Sequence, residues 1–153
     1  LPIGQLDGGH VLYGLFGFKI HRIIASVFFV MLLFYAGLGI IKPTDSPDRL
    51  LLWIPGITLF LYLALSGLGL SARDTIMYAL LVLAAQLLVT LIYPTVEGYS
   101  GWLFFSFLLG RFIGIQHPPS EIEEPLDTKR IILGWIALFI FIICFSPAPL
   151  ILK

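Results

Sequence analysis

Three long apolar runs without a charged side chain constrain this sequence most. They cover residues 23–41, 50–70 and 75–93, and each is close to the roughly 20 residues that a helix needs to cross the hydrocarbon core of a membrane. A soluble domain has about 25% charged residues, whereas this chain has 12%, with 59% hydrophobic residues and a mean hydropathy of +1.02. The sequence therefore predicts transmembrane helices, with the lipid bilayer as the partner that surrounds them.

Three shorter apolar segments accompany the long runs. Arg111 interrupts residues 102–115, and residues 131–145 end at a proline-containing segment that residues 150–152 would extend. Residues 8–20 directly follow Asp7 and are too short to cross a membrane alone, so they predict a short or broken helix. We expect an all-α, polytopic transmembrane bundle of about four to six hydrophobic helices, including this short or broken one.

Charge and cysteine content narrow the functional classes. Nine basic side chains balance nine acidic ones, so no long-range field would gather nucleic acid, and we expect no nucleic-acid partner. The single cysteine, Cys144, lies in an apolar run and is predicted to be a buried small hydrophobe. The chain starts at Leu1 without a signal-peptide pattern. We therefore expect residues 1–153 to be the C-terminal membrane-embedded part of a domain whose amino-terminal part precedes them.

Asp7 is the residue in this apolar setting that most needs a partner. A carboxylate inside hydrocarbon costs at least about 2.5 kcal/mol on insertion scales. One explanation is structural, because an aspartate that caps the helix after it accepts a backbone N–H bond near the positive end of the helix dipole. The other is chemical, because Asp oxygen is a zinc ligand and catalytic zinc sites usually combine three protein ligands with an open position for water.

A resemblance to the site-2 proteases, which are intramembrane zinc metalloproteases, favours the chemical explanation. Residues 1–9 read Leu-Pro-Ile-Gly-Gln-Leu-Asp-Gly-Gly and resemble the family's Leu-Asp-Gly zinc-ligand motif. Further segments resemble the C-terminal part of bacterial-type members: residues 110–119, with Gly-Arg-Phe at the start and His-Pro-Pro at the end, then residues 125–127, Arg130 and residues 145–149. The middle of the chain resembles the family mainly in its hydrophobic layout.

The resemblance implies an activity and a division of ligands. It makes Asp7 the third ligand of a catalytic Zn²⁺, whereas two histidines and a general-base glutamate would come from an upstream His-Glu-x-x-His helix. That motif does not occur in this sequence, so no catalytic residue is expected here. The full-length protein would be a zinc metalloendopeptidase for regulated intramembrane proteolysis, with a membrane-protein substrate. The isolated chain is expected neither to bind zinc tightly nor to cleave peptides.

The other polar candidates receive more modest roles. His10 lies one helical turn after Asp7 and is expected to make a polar contact beside the metal rather than to bind it directly. His21 is predicted to join Lys19 and Arg22 in a basic cluster that reaches toward the headgroups. His117, which precedes two prolines, is expected to fix a loop. Three glutamates near residue 127 are expected to lie in a solvated loop: Glu121, Glu123 and Glu124.

Two other functions fit parts of the pattern. Broken helices with an embedded carboxylate also build the substrate sites of transporters and channels, although no repeated pair of interrupted helices occurs in this sequence. A non-catalytic relative could keep Asp7 and the fold without the upstream histidines. The upstream sequence distinguishes the three hypotheses, because only the protease requires the His-Glu-x-x-His motif.

Overall fold

The computed structural model describes residues 1–118 and 125–149, and these residues form helices and connecting turns without a strand. The described residues contain five α-helices: α1 (Asp7–Ala36), α2 (Pro47–Leu65), α3 (Ala72–Ile92), α4 (Gly101–Leu108) and α5 (Thr128–Cys144). A 3₁₀ turn over Ser66–Leu68 extends α2, and a π-helical turn over Leu109–Ile113 extends α4. The predicted all-α class is confirmed.

Three of these helices are long and apolar enough to cross a membrane: α1, α2 with its 3₁₀ extension, and α3. The apolar helix Gly101–Ile113 is shorter. Its 13 residues would rise only about 20 Å, so it cannot cross a bilayer of typical thickness alone. Residues 121–124 and 150–152, for which a solvated loop and a helix extension were predicted, lie outside the described residues.

Helix α1 contains the predicted short or broken helix, residues 8–20, and joins it to the first long apolar run. Gly17 has φ 74° and ψ 175°, which interrupts the helical backbone, and the helix then continues to Ala36. A side chain strongly disfavours this conformation, whereas glycine adopts it readily. Lys19 and Arg22 lie on exposed turns beyond the break. The short segment after Asp7 and the first long apolar run therefore belong to one kinked helix.

One compact unit consists of residues 1–29 and the described residues from Ile113 onward. In it, α5 packs along α1 through aromatic contacts, with ring centroids 5.5 Å apart for Phe16 and Trp135 and 6.3 Å apart for Phe28 and Phe141. Gly134 allows the close approach, because a Cβ atom there would collide with the side chain of Leu15. Cys144, at the end of α5, is exposed rather than buried as the sequence had suggested.

The second compact unit is Val30–Phe112. Within it, α2 packs against α3 and also contacts α4. Gln86 of α3 is buried, and its amide donates hydrogen bonds to the carbonyls of Leu33 (3.0 Å) and Phe34 (3.1 Å) in α1. A polar side chain in an apolar helix thus serves as a contact between helices, as expected for buried amides in membrane bundles.

Candidate functional site

The start of α1 places Asp7 in a defined position. The carbonyl of Leu6 accepts hydrogen bonds from the backbone N–H groups of Gly9 (2.7 Å) and His10 (3.0 Å). The residue whose carbonyl accepts the first helical bond is the N-cap, so Leu6 has that position and Asp7 is the first helical residue. The explanation of Asp7 as the capping residue is therefore wrong, although its charge still lies at the favourable end of the helix dipole.

The carboxylate of Asp7 is exposed, and within the described residues it makes no hydrogen bond or ion pair. Two other helices begin with a side chain that does cap. The Asp127 carboxylate accepts the N–H of Arg130 at 2.8 Å at the start of α5, and the Ser71 hydroxyl accepts the N–H of Asp74 at 3.1 Å at the start of α3. Asp7 thus retains oxygen lone pairs that an external ligand can use.

The structure brings together two of the segments that carry the family resemblance, although about a hundred residues separate them. Gly4 and Gly114 pack backbone against backbone, because a Cβ atom at Gly4 would collide with the carbonyl of Gly114. Gly4 also has φ 55°, a left-handed conformation that favours glycine. The side chains of Ile3 and Ile115, on either side of this contact, are fully buried.

An apolar cavity of about 240 Å³ opens beside Asp7 and Gly8. Val11 of α1 and four residues of α5 contribute to its walls: Ala137, Leu138, Ile140 and Phe141. Among the described residues that line this cavity, Asp7 is therefore the one with a charged side chain. Such a pocket suits an apolar segment that presents one polar group to the carboxylate.

The three histidines of the chain meet in the unit that contains Asp7. His117 Nε2 lies 2.8 Å from His10 Nδ1, and the ring centroids of His117 and His21 are 6.0 Å apart. Tyr13 lies against the same group, with its ring centroid 4.5 Å from that of His117. His21 is fully buried, so the prediction that it joins an exposed basic cluster with Lys19 and Arg22 is wrong.

Sequence reasoning missed this cluster because its members are up to 107 positions apart. The usable signal was weak. The chain has only three histidines, and each lies near a glycine- or proline-containing break where the chain can turn.

Asp7 fits the role of one zinc ligand, since it is an accessible and unpaired carboxylate. It does not form a zinc site alone. Among residues 1–118 and 125–149, no group of three or more His, Cys, Asp or Glu side chains is arranged to hold a metal ion. The remaining ligands of an Asp7 site would have to come from elsewhere.

Comparisons with known proteins found no matching family, no matching curated protein and no matching solved structure.

Proposed function

We propose that the chain is the C-terminal membrane-embedded part of an intramembrane zinc metalloendopeptidase of the site-2 protease type, with Asp7 as the third zinc ligand. The whole protein would be a multi-pass integral membrane protein that cleaves membrane-protein substrates. Two histidines and a general-base glutamate would come from a His-Glu-x-x-His helix outside this sequence.

The observation that carries this proposal is the exposed carboxylate of Asp7 at the edge of an apolar cavity, where it makes no hydrogen bond or ion pair with the described residues. If Asp7 were only a helix cap, its oxygen would accept a backbone N–H, as the Asp127 carboxylate does. The contact between residues 1–9 and 110–119, at Gly4 and Gly114, adds support, because both segments resemble the same family.

The residues of this chain would do two things in that reaction. Asp7 would hold the metal by a carboxylate oxygen at the start of α1. Val11 and the α5 residues of the cavity would bind an apolar stretch of substrate and exclude water from it. When bound, the zinc would supply Lewis-acid activation of the scissile carbonyl and of a water molecule.

Zinc content and cleavage in the full-length protein test this proposal. Asp7→Asn keeps the size of the side chain but removes the charge that binds zinc. We expect it to lower bound zinc by about one equivalent and cleavage of a membrane-embedded substrate by at least about 100-fold, since a ligand is lost from a three-ligand site. Inductively coupled plasma mass spectrometry and a gel-based cleavage assay measure the two effects.

Asp48→Asn is the matched control. Asp48 is also an exposed aspartate in the first turn of an apolar helix, α2, so the same substitution there removes the same charge-dipole interaction. We expect zinc content and cleavage to stay within twofold of the wild type. Equal behaviour of the Asp7 and Asp48 variants would contradict the proposal. The proposal would also be contradicted if Asp7→Asn left the zinc content and the cleavage rate of an active full-length enzyme unchanged.

A further inference from the structure

His10, His21 and His117 form a group that the proposed protease function does not use. They are all the histidines of the chain, and both His10 and His21 approach His117, with ring centroids 4.7 Å and 6.0 Å away. Imidazoles that share one tetrahedral ion through bonds of about 2.0–2.1 Å have centroids about 5 Å apart. The two spacings to His117 are within about 1 Å of that value.

The break at Gly17 makes this grouping possible. Eleven positions separate His10 from His21, so in a straight helix their Cα atoms would lie about 16 Å apart, too far for both rings to reach one partner. The non-helical backbone of Gly17 interrupts the helix between them. Both rings can therefore approach His117, which lies in the segment between Ile113 and α5.

The hydrogen bonds of His117 prepare its other ring nitrogen for a ligand. His117 Nδ1 lies 2.6 Å from the carbonyl oxygen of Pro118. Since a carbonyl can only accept, Nδ1 must carry the proton, and in the neutral ring Nε2 is the nitrogen with the lone pair. That lone pair accepts a hydrogen bond when His10 Nδ1 is protonated, and it can bind an ion when the proton of His10 is on Nε2. A backbone carbonyl that fixes the tautomer in this way is the usual support of a metal-binding histidine. Nε2 faces His10 Nδ1 at 2.8 Å.

His21 supplies the second independent observation. Its side chain is fully buried, and neither ring nitrogen has a hydrogen-bond partner among the described residues. A buried imidazole without a partner is unfavourable. An ion that accepts the lone pair of one nitrogen would remove part of that penalty.

An ion can also reach the group. His10 is exposed and lines a cavity of about 450 Å³ between the start of α1 and α5. Arg130 lines the same cavity and would repel a cation, but its Nε lies 3.7 Å from the Asp127 carboxylate, which partly offsets its charge.

From these contacts we infer that His10, His117 and His21 form a binding site for a divalent transition-metal ion such as Zn²⁺ or Co²⁺, which uses no atom of Asp7. The rings do not surround one point in the present arrangement, so binding requires the side chains to rotate until a nitrogen of each faces the ion. Neutral imidazole is a preferred ligand of such ions. This site would revise the expectation, drawn from Asp7 alone, that the isolated chain binds no zinc tightly.

Co²⁺ titration of the purified 153-residue chain in lipid nanodiscs tests the inference, because tetrahedral Co²⁺ has a characteristic visible absorption. We expect one Co²⁺ per chain, displaced by Zn²⁺. His10→Gln, His21→Gln and His117→Gln should each weaken binding by at least about tenfold, whereas Asp7→Asn should leave it within twofold. Circular dichroism shows whether each variant keeps its helices, and His10→Gln should disturb folding least, because His10 is exposed.

A second pair of variants tests the role of the kink. Gly17→Ala puts a side chain where φ is 74°, a backbone conformation that alanine strongly disfavours. The helix should therefore straighten, which moves His10 and His21 apart and weakens Co²⁺ binding. Space is not the obstacle, since a Cβ at Gly17 meets nothing within 4 Å. Gly14→Ala, in the same helix and in ordinary contact with Leu126 at 3.4 Å, is the control and should bind normally.

The outcomes separate this site from the proposed zinc site at Asp7. Absence of Co²⁺ binding by the folded chain would overturn the inference. Binding that survives all three histidine variants, or that Asp7→Asn abolishes, would overturn it as well. Unchanged affinity in His21→Gln would overturn the three-ligand site. None of these results depends on peptide cleavage. The protease proposal can therefore fail while the histidine site is confirmed, and the histidine site can fail while the protease proposal is confirmed.

Discussion

At the residue scale, Gln86 shows how one polar side chain can fix two apolar helices. Its amide donates to two α1 carbonyls, those of Leu33 and Phe34, and it fits against Gly37, where a Cβ atom would collide with the amide. Gln86→Leu keeps the approximate volume but removes both donors. We expect a loss of about 0.6–1.7 kcal/mol in the free energy of unfolding, from the average to the maximum measured for hydrogen bonds between membrane helices. Unfolding in mixed micelles, followed by tryptophan fluorescence, measures it.

Thr58→Val is the control for this substitution. The Thr58 hydroxyl also lies in an apolar helix, but it donates to Ile54 of its own helix at 2.7 Å. Its removal should therefore change stability by less than about 0.5 kcal/mol. If Gln86→Leu proved as harmless as Thr58→Val, the hydrogen bonds between α1 and α3 would contribute nothing measurable.

At the scale of elements, two glycines allow the close contact between α2 and α4, and they lie in the turns that extend these helices. A Cβ atom at Gly67 would collide with the carbonyl of Gly110, and one at Gly110 would collide with the carbonyl of Ala64. These obstacles are backbone atoms, which cannot rotate away. We expect Gly67→Ala to destabilise the chain by about 1–3 kcal/mol, as overpacking does. Gly56→Ala, in α2 with nothing within 4 Å, should instead stabilise it by up to about 1 kcal/mol. Thermal unfolding of both variants compares them, and equal shifts would contradict the packing argument.

The elements also show how far sequence reasoning reaches. The apolar runs at 50–70 and 75–93 predicted α2 and α3 within a few residues, because lipid forces the backbone to satisfy its hydrogen bonds within a helix. The sequence predicted residues 8–20 and 23–41 as separate apolar segments, whereas both lie in α1, whose backbone is interrupted at Gly17. Exposed charges do not stop a helix, whereas a positive φ almost requires glycine.

The candidate site was predicted only where local sequence defines it. Asp7 lies at the start of a helix beside glycines, as its neighbours indicated. That Leu6 rather than Asp7 is the N-cap is shown only by the hydrogen bonds to the Leu6 carbonyl. The approach of His117 to His10 and His21 is a tertiary contact. Spacing along the chain carries no information about it, so only the fold could show it.

At the scale of the whole molecule, the proposed protease chemistry is divided between this chain and a segment outside it. The chain offers a carboxylate, an apolar cavity and two packed motif segments, but it lacks the His-Glu-x-x-His motif. Peptide hydrolysis needs a base to move protons as well as a metal. We therefore expect the purified 153-residue chain, even when loaded with zinc, to cleave no peptide bond of a membrane-embedded substrate faster than buffer does.

Cleavage assays with and without a chelator check this expectation. Hydrolysis by the isolated chain that a chelator abolishes would contradict it, and the responsible residues could then be assigned. Loss of that activity in Asp7→Asn would place the metal at the start of α1, whereas loss in His117→Gln would place it in the histidine cluster. If the full-length protein cleaves its substrate and the isolated chain does not, the result would instead support a metal centre that the upstream helix completes. Because the Asp7 carboxylate makes no hydrogen bond or ion pair with the described residues, that completion would require neither to break among them.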